Sequence, residues 1–168
     1  MSITEYNGGA VCAMAGKNCF AIASDMRLGE QFKTISMNVP KVHVINDKCV
    51  VGLSGLRSDQ QTFLSNLQFR LNMYKLREER EIAGPSLAAL VESMLYEKRF
   101  GPYFMEPVIA SMDNNGKVFL CATDLIGAPC EPEDYVCTGT CADSLNGMCM
   151  ALWRPDMEPE ELFETISQ

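Results

Sequence analysis

A layered α+β fold is what this sequence predicts, and three observations carry the prediction. Apolar segments of strand length fall into two blocks, one ending at Leu53 and one opening at Pro107. Between them lie two stretches with helical periodicity, and two shorter helical stretches close the chain. Segregated blocks of this kind favour sheets packed against helix layers over alternating β-α units. At 168 residues the chain is expected to form one domain, residues 1–168, large enough to bury roughly 70% of the surface its unfolded form exposes.

The elements follow in order. Ala10–Met14 and Cys19–Ser24 read as two apolar strands joined by a Gly16-Lys17-Asn18 turn. Phe32–Met37 reads as a short single strand, and Val39-Pro40-Lys41 leads into a strand over Val42–Ile45. Asn46-Asp47 then turns into the apolar strand Cys49–Leu53. From about Arg57 to Arg80 the period becomes helical, with Leu64, Leu67, Leu71 and Tyr74 forming one stripe that Gly84-Pro85 interrupts. A second helix is expected from about Ser86 to Arg99, with Leu87, Leu90, Val91, Met94 and Leu95 on one face. Asp113-Asn114-Asn115-Gly116 is a strong hairpin signal between strands Pro107–Met112 and Lys117–Thr123. Glu133–Thr138 is a further strand, Ala142–Leu152 a helix, and Pro159 opens a last helix.

Composition excludes several classes of function. With 47% hydrophobic and 21% charged residues the chain reads as globular. A net charge of −8, with 14 basic residues scattered along the chain, leaves no electrostatic footprint for nucleic acid. No apolar run reaches the ~20 residues of a membrane helix, and MSITEYNGG has neither the basic nor the apolar part of a secretory leader. Of the eight cysteines, Cys12, Cys19, Cys49, Cys121, Cys137 and Cys149 sit in apolar contexts, as small buried hydrophobes do. There is no CxxC pair, the nearest spacing is Cys137 to Cys141, and the sole histidine is His43, so no zinc site is expected. Reduced thiols are the expectation. Methionines such as Met105, Met112, Met148, Met150 and Met157 suit adaptable packing in a core or at a contact, and Trp153 suits a helix-end anchor.

The stretch Asn7–Asp25, with its hairpin closing on Ala23-Ser24-Asp25-Met26-Arg27, resembles the N-terminal hairpin of proteasome-type β subunits, members of the N-terminal-nucleophile hydrolases. Tyr6–Val11, Leu53–Asp59, Tyr96–Tyr103, Glu106–Ala110, Gly139–Ala142 and Leu162–Gln168 extend the resemblance over essentially the whole chain, toward the non-catalytic members of the family. It implies a four-layer αββα sandwich, two antiparallel sheets between two pairs of helices. It also implies that the last helix continues past Gln168 and that further strands follow, so residues 1–168 would lack the final strands.

The same resemblance assigns the candidate site. Catalytic members attack with an N-terminal threonine released by self-cleavage, supported by a lysine and an aspartate. Here the nucleophile position falls on Gly9, the aspartate on Asp25, the lysine on Lys41, and a serine near the site on Thr140. Glycine has no side-chain oxygen, so no peptidase activity and no cleavage between Gly8 and Gly9 are expected, and Asp25 and Lys41 become vestigial, free to form a buried ion pair. Read without the resemblance, Asp25 is an ordinary turn acceptor and Lys41 an ordinary solvated lysine. The implied role is structural. The chain would complete a seven-membered β ring, contact neighbouring β subunits, the α subunits of the adjacent ring and the opposite β ring, and use no cofactor or metal. The loop Asp124–Cys130, with Asp124, Leu125 and Cys130, would help wall a neighbour's substrate pocket. The expected location is cytoplasm and nucleus. Two other readings are an active threonine peptidase with an unrecognised processing site and an unrelated cysteine-rich binding or redox protein.

Overall fold

The structure, a computed structural model, describes residues 2–168. A 3₁₀ turn, Ile3–Glu5, precedes strands β1 (Ala10–Gly16), β2 (Cys19–Ser24), β3 (Leu28–Glu30), β4 (Lys33–Ser36), β5 (Val42–Asn46) and β6 (Cys49–Gly55). Helices α1 (Arg57–Glu78) and α2 (Gly84–Tyr96) follow. The chain then forms β7 (Met105–Met112), β8 (Val118–Thr123), β9 (Pro129–Cys130), β10 (Tyr135–Gly139), α3 (Ala142–Leu152) and α4 (Pro159–Ser167).

The sheets are antiparallel. One has the order β10-β1-β2 and the other β5-β6-β7-β8-β9, with β3-β4 as a separate hairpin. Because successive side chains on a strand face opposite sides, each sheet serves two cores. On β1, Val11, Ala13 and Ala15 point into a middle layer with Val108 and Ala110 of β7 and Leu120 and Ala122 of β8. Cys12 and Met14, on the other face of β1, join Cys137, Cys149, Met157 and Leu162 beneath α3 and α4. The outer face of the larger sheet, through Val51, Leu53, Met105 and Ile109, packs on Phe63, Leu67, Leu87, Val91 and Leu95 of α1 and α2. These three apolar layers hold four layers of structure together in the order αββα, and the α+β sandwich expected from the sequence is the observed fold.

Several local expectations need correction. The strand expected over Phe32–Met37 is β4, shorter by one residue at each end; its partner β3 was not expected, and Gln31, at φ +56°, turns β3 into β4 with Phe32 in the turn, 94% exposed. The helix α2 begins at Gly84, two residues early, because Pro85 falls in the first turn where no backbone N–H is needed. It ends at Tyr96, and residues 97–101 continue as turns instead of helix. The α1 stripe is also displaced. Phe63 and Gln60 are buried with Leu67, whereas Leu64, Leu71 and Tyr74 pack only at the margin. Trp153 is the helix-end anchor the sequence suggested, its indole N–H donating to the Ala15 carbonyl at 2.9 Å. Met105 and Met157 are core residues, while Met148 and Met150 face outward.

Two measurements test this packing. Phe63 is fully buried against Tyr103 in an edge-on pair, so Phe63→Ala should cost about 3–5 kcal/mol in urea unfolding, while Phe100→Ala, at a side chain 98% exposed, should change little. The second concerns His43 on β5, whose Nε2 is buried with no hydrogen-bond partner among the described residues. Burial, and then the Arg57 charge, lower its pKa below 6.5. The unfolded chain therefore binds that proton first, so this stability is whole above about pH 6.5 and is lost as pH falls toward the folded pKa. His43→Gln should flatten the part of the acid loss that arises between about pH 7 and about pH 5.

Candidate functional site

The carboxyl end of β6 and the start of β1 meet at one end of the two sheets, and the four predicted residues converge there. Gly9 immediately precedes β1, Asp25 immediately follows β2, Lys41 immediately precedes β5, and Thr140 immediately follows β10. The Asp25 carboxylate is fixed from three directions. Its Oδ1 accepts from the Ala10 N–H at 2.8 Å, and Oδ2 accepts from the Arg27 N–H at 3.1 Å and from Lys41 Nζ at 2.9 Å. Lys41 is 3% exposed. Its ammonium also donates to the Asp25 carbonyl at 3.1 Å and the Arg27 carbonyl at 2.8 Å, so all three donors are engaged.

This network leaves no room above it. A Cβ on Gly9 would lie 2.8 Å from Lys41 Cε, 3.2 Å from Lys41 Cδ and 3.4 Å from Asp25 Oδ1. The lysine stem that would have to yield is buried and held at its far end by three acceptors. Gly9 also adopts φ +136°, which a residue with a side chain adopts only under strain. Thr140 closes the corner: its N–H donates to the Gly9 carbonyl at 2.9 Å, and its hydroxyl donates to the same oxygen at 3.4 Å. Gly139 is obligatory beside it, since a Cβ there would lie 2.1 Å from that carbonyl oxygen.

The segment before Gly9 is built into the fold by groups that pattern reading missed. Tyr6 Oη donates to Glu30 at 2.9 Å, and the Gln31 N–H donates to the Tyr6 carbonyl at 2.9 Å. Asn7 donates to the Gly29 carbonyl at 2.9 Å while its Oδ1 accepts from the Arg57 N–H at 2.9 Å. Asn7 thus caps α1 from fifty residues away, a role that Leu56 at the N-cap position cannot fill. No local motif signals it, because the cap and its helix are distant in sequence. A cleft of about 160 Å³ beside Gly9 is walled by Thr4 and Glu5 of this segment, with Ser54, Glu106 and Thr140 opposite.

Asp124, Leu125 and Cys130 are not part of this cleft. They lie at the free edge of the larger sheet, where Asp124 Oδ1 accepts from the Ile126 and Ala128 N–H groups and β9 pairs with the end of β8. Cys130 is exposed and Leu125 half-buried. A cavity of about 700 Å³ lies at the opposite end of the sheets, between the β5-β6 turn, the α1-α2 connection and the β7-β8 turn.

The buried ion pair yields a directional prediction. Asp25→Ala leaves the Lys41 ammonium buried without a counter-charge and should cost about 2–3 kcal/mol, at the low end for such pairs because Asp25 is 37% exposed. Lys41→Met keeps the volume and removes the buried charge, so it should cost less. The double variant should be more stable than Asp25→Ala alone, as read by urea midpoints.

Comparison with known proteins identifies the family of the chain. The family model described as proteasome subunit matches residues 5–168. A protein of Trypanosoma brucei brucei named proteasome subunit beta type-3 is 69% identical over 169 residues, covering 100% of this chain and 82% of its own length. Proteins of the same name from Picea mariana and Drosophila melanogaster are 55% and 51% identical, again across 100% of this chain and 82% of theirs.

Proposed function

The chain belongs to the proteasome subunit family, and on that premise we propose that it is a non-catalytic β subunit of the proteasome core, working through its surfaces in protein degradation. The observation that carries the proposal is the start of β1. Peptidase chemistry in this family needs a hydroxyl there, and the chain has Gly9 over a lysine whose three donors are already engaged. The position lacks both the nucleophile and the space for one. The segment Ser2–Gly8 is retained in the mature chain, fastened through Tyr6 and Asn7 to β3 and α1.

With no hydrolysis to perform, the chain contributes contacts. It assembles with other proteasome subunits, as part of a seven-membered β ring stacked on an α ring and facing a second β ring. Exposed apolar side chains support this reading. Phe32 at 94%, Met37 at 72%, Val44 at 76%, Leu76 at 77% and Phe100 at 98% exposure are available for such contacts. The β8-β9 edge, with Asp124, Leu125 and Cys130, is assigned to the wall of a neighbouring subunit's substrate pocket. Cytoplasm and nucleus are the assigned locations.

Restoring the hydroxyl tests the inactive reading. Gly9→Thr should produce neither cleavage after Gly8, by intact mass, nor added hydrolysis of fluorogenic peptides by the assembled particle. A trimmed, active Gly9→Thr chain would overturn the claim that the position has no space for a nucleophile, and trimming or peptidase activity of the wild-type chain itself would overturn the inactive assignment. Replacing a nucleophile typically costs on the order of 10⁶ in rate, so even partial restoration would be visible.

A further inference from the structure

The sequence offers no metal-ligand spacing, yet the fold gathers three cysteines that lie far apart in the chain. Cys12 on β1 and Cys137 on β10 are directly opposed in the antiparallel register, and Cys149 of α3 descends onto both. The Sγ atoms are 3.0 Å apart between Cys12 and Cys137, 3.5 Å between Cys137 and Cys149, and 3.6 Å between Cys12 and Cys149. All three residues are buried, at 7%, 8% and 2% exposure, in the layer lined by Met14, Met157 and Leu162. We propose that Cys12, Cys137 and Cys149 form a three-coordinate site for a soft monovalent cation, cuprous copper being the ion that fits.

Geometry and softness both favour that ion. A disulfide would use two sulfurs and leave the third idle, whereas here every pair is close, as ligands around one centre are. Three sulfur–metal bonds of about 2.3 Å in a plane place the sulfurs roughly 4 Å apart, so side-chain rotation need open the triangle only modestly. Thiolate and thioether surroundings select cuprous copper over harder ions. No histidine or carboxylate belongs to the cluster, which leaves a tetrahedral zinc site without its fourth ligand. Binding forms three copper–thiolate bonds, at Cys12, Cys137 and Cys149, each thiol releasing its proton to solvent, with no change of oxidation state.

The test uses the particle purified through a tag on this chain, loaded anaerobically with cuprous acetonitrile complex and then challenged with a cuprous chelator. Wild-type particles should retain one more copper per copy of this chain than Cys137→Ala, Cys12→Ala or Cys149→Ala particles. Cys121→Ala, at a thiol buried elsewhere, should retain the full amount. Equal retention by wild type and Cys137→Ala would overturn the site, as would recovery of a Cys12–Cys137 disulfide in place of bound metal. If a variant fails to assemble, X-ray absorption on the loaded wild-type particle decides: a three-sulfur copper shell supports the site, and nitrogen or oxygen ligation overturns it.

Discussion

Strand β1 is the constraint on which the rest of the fold depends, because both of its faces are buried and each belongs to a different core. Its odd-numbered residues Val11, Ala13 and Ala15 enter the layer between the sheets, while Cys12 and Met14 enter the layer under α3 and α4. A register slip of one residue would exchange the two sets and put the larger side chains where the alanines allow the sheets to approach. Pairing with β2 on one side and β10 on the other fixes that register, and with it the position of Gly9. The site is therefore a consequence of the packing.

At that end of the strand, electrostatics takes over from apolar burial. A buried ammonium is tolerable only with its donors satisfied, and Lys41 meets that demand through one carboxylate oxygen and two carbonyls. The arrangement joins the ends of β2 and β5 and the loop to β3, and it locks the lysine stem under Gly9. The ion pair thereby serves as a structural rivet at this corner of the fold.

Much of this was legible in the sequence, for identifiable reasons. Continuous apolar runs mark β1, β2 and β6, and three-four spacing marks α1 and α2, because these segments bury both faces or one. The hairpin at Asp113–Gly116 announces itself through turn chemistry. Elements whose stability comes from elsewhere were hidden. Strand β3 is only three residues, with one of them buried, so hydrophobic patterning finds β4 but not its partner. The two-residue β9 is defined only by its pairing with β8. Within the site, the resemblance located Gly9, Asp25, Lys41 and Thr140, but spacing alone could not show that they meet. The Asn7 cap on α1 and the Cys12–Cys137–Cys149 triangle were illegible because their parts are 50 and up to 137 residues apart.

The central claim is that this chain works uncleaved, as a structural member of an assembly. Native mass spectrometry of the endogenous species containing it, followed by release and intact mass of the chain, tests this most directly. The account predicts a particle of several hundred kilodaltons that releases a chain still carrying Ser2–Gly8. A chain beginning at Gly9 or at any new residue near the start of β1, or a free monomer with no assembled form, would contradict it.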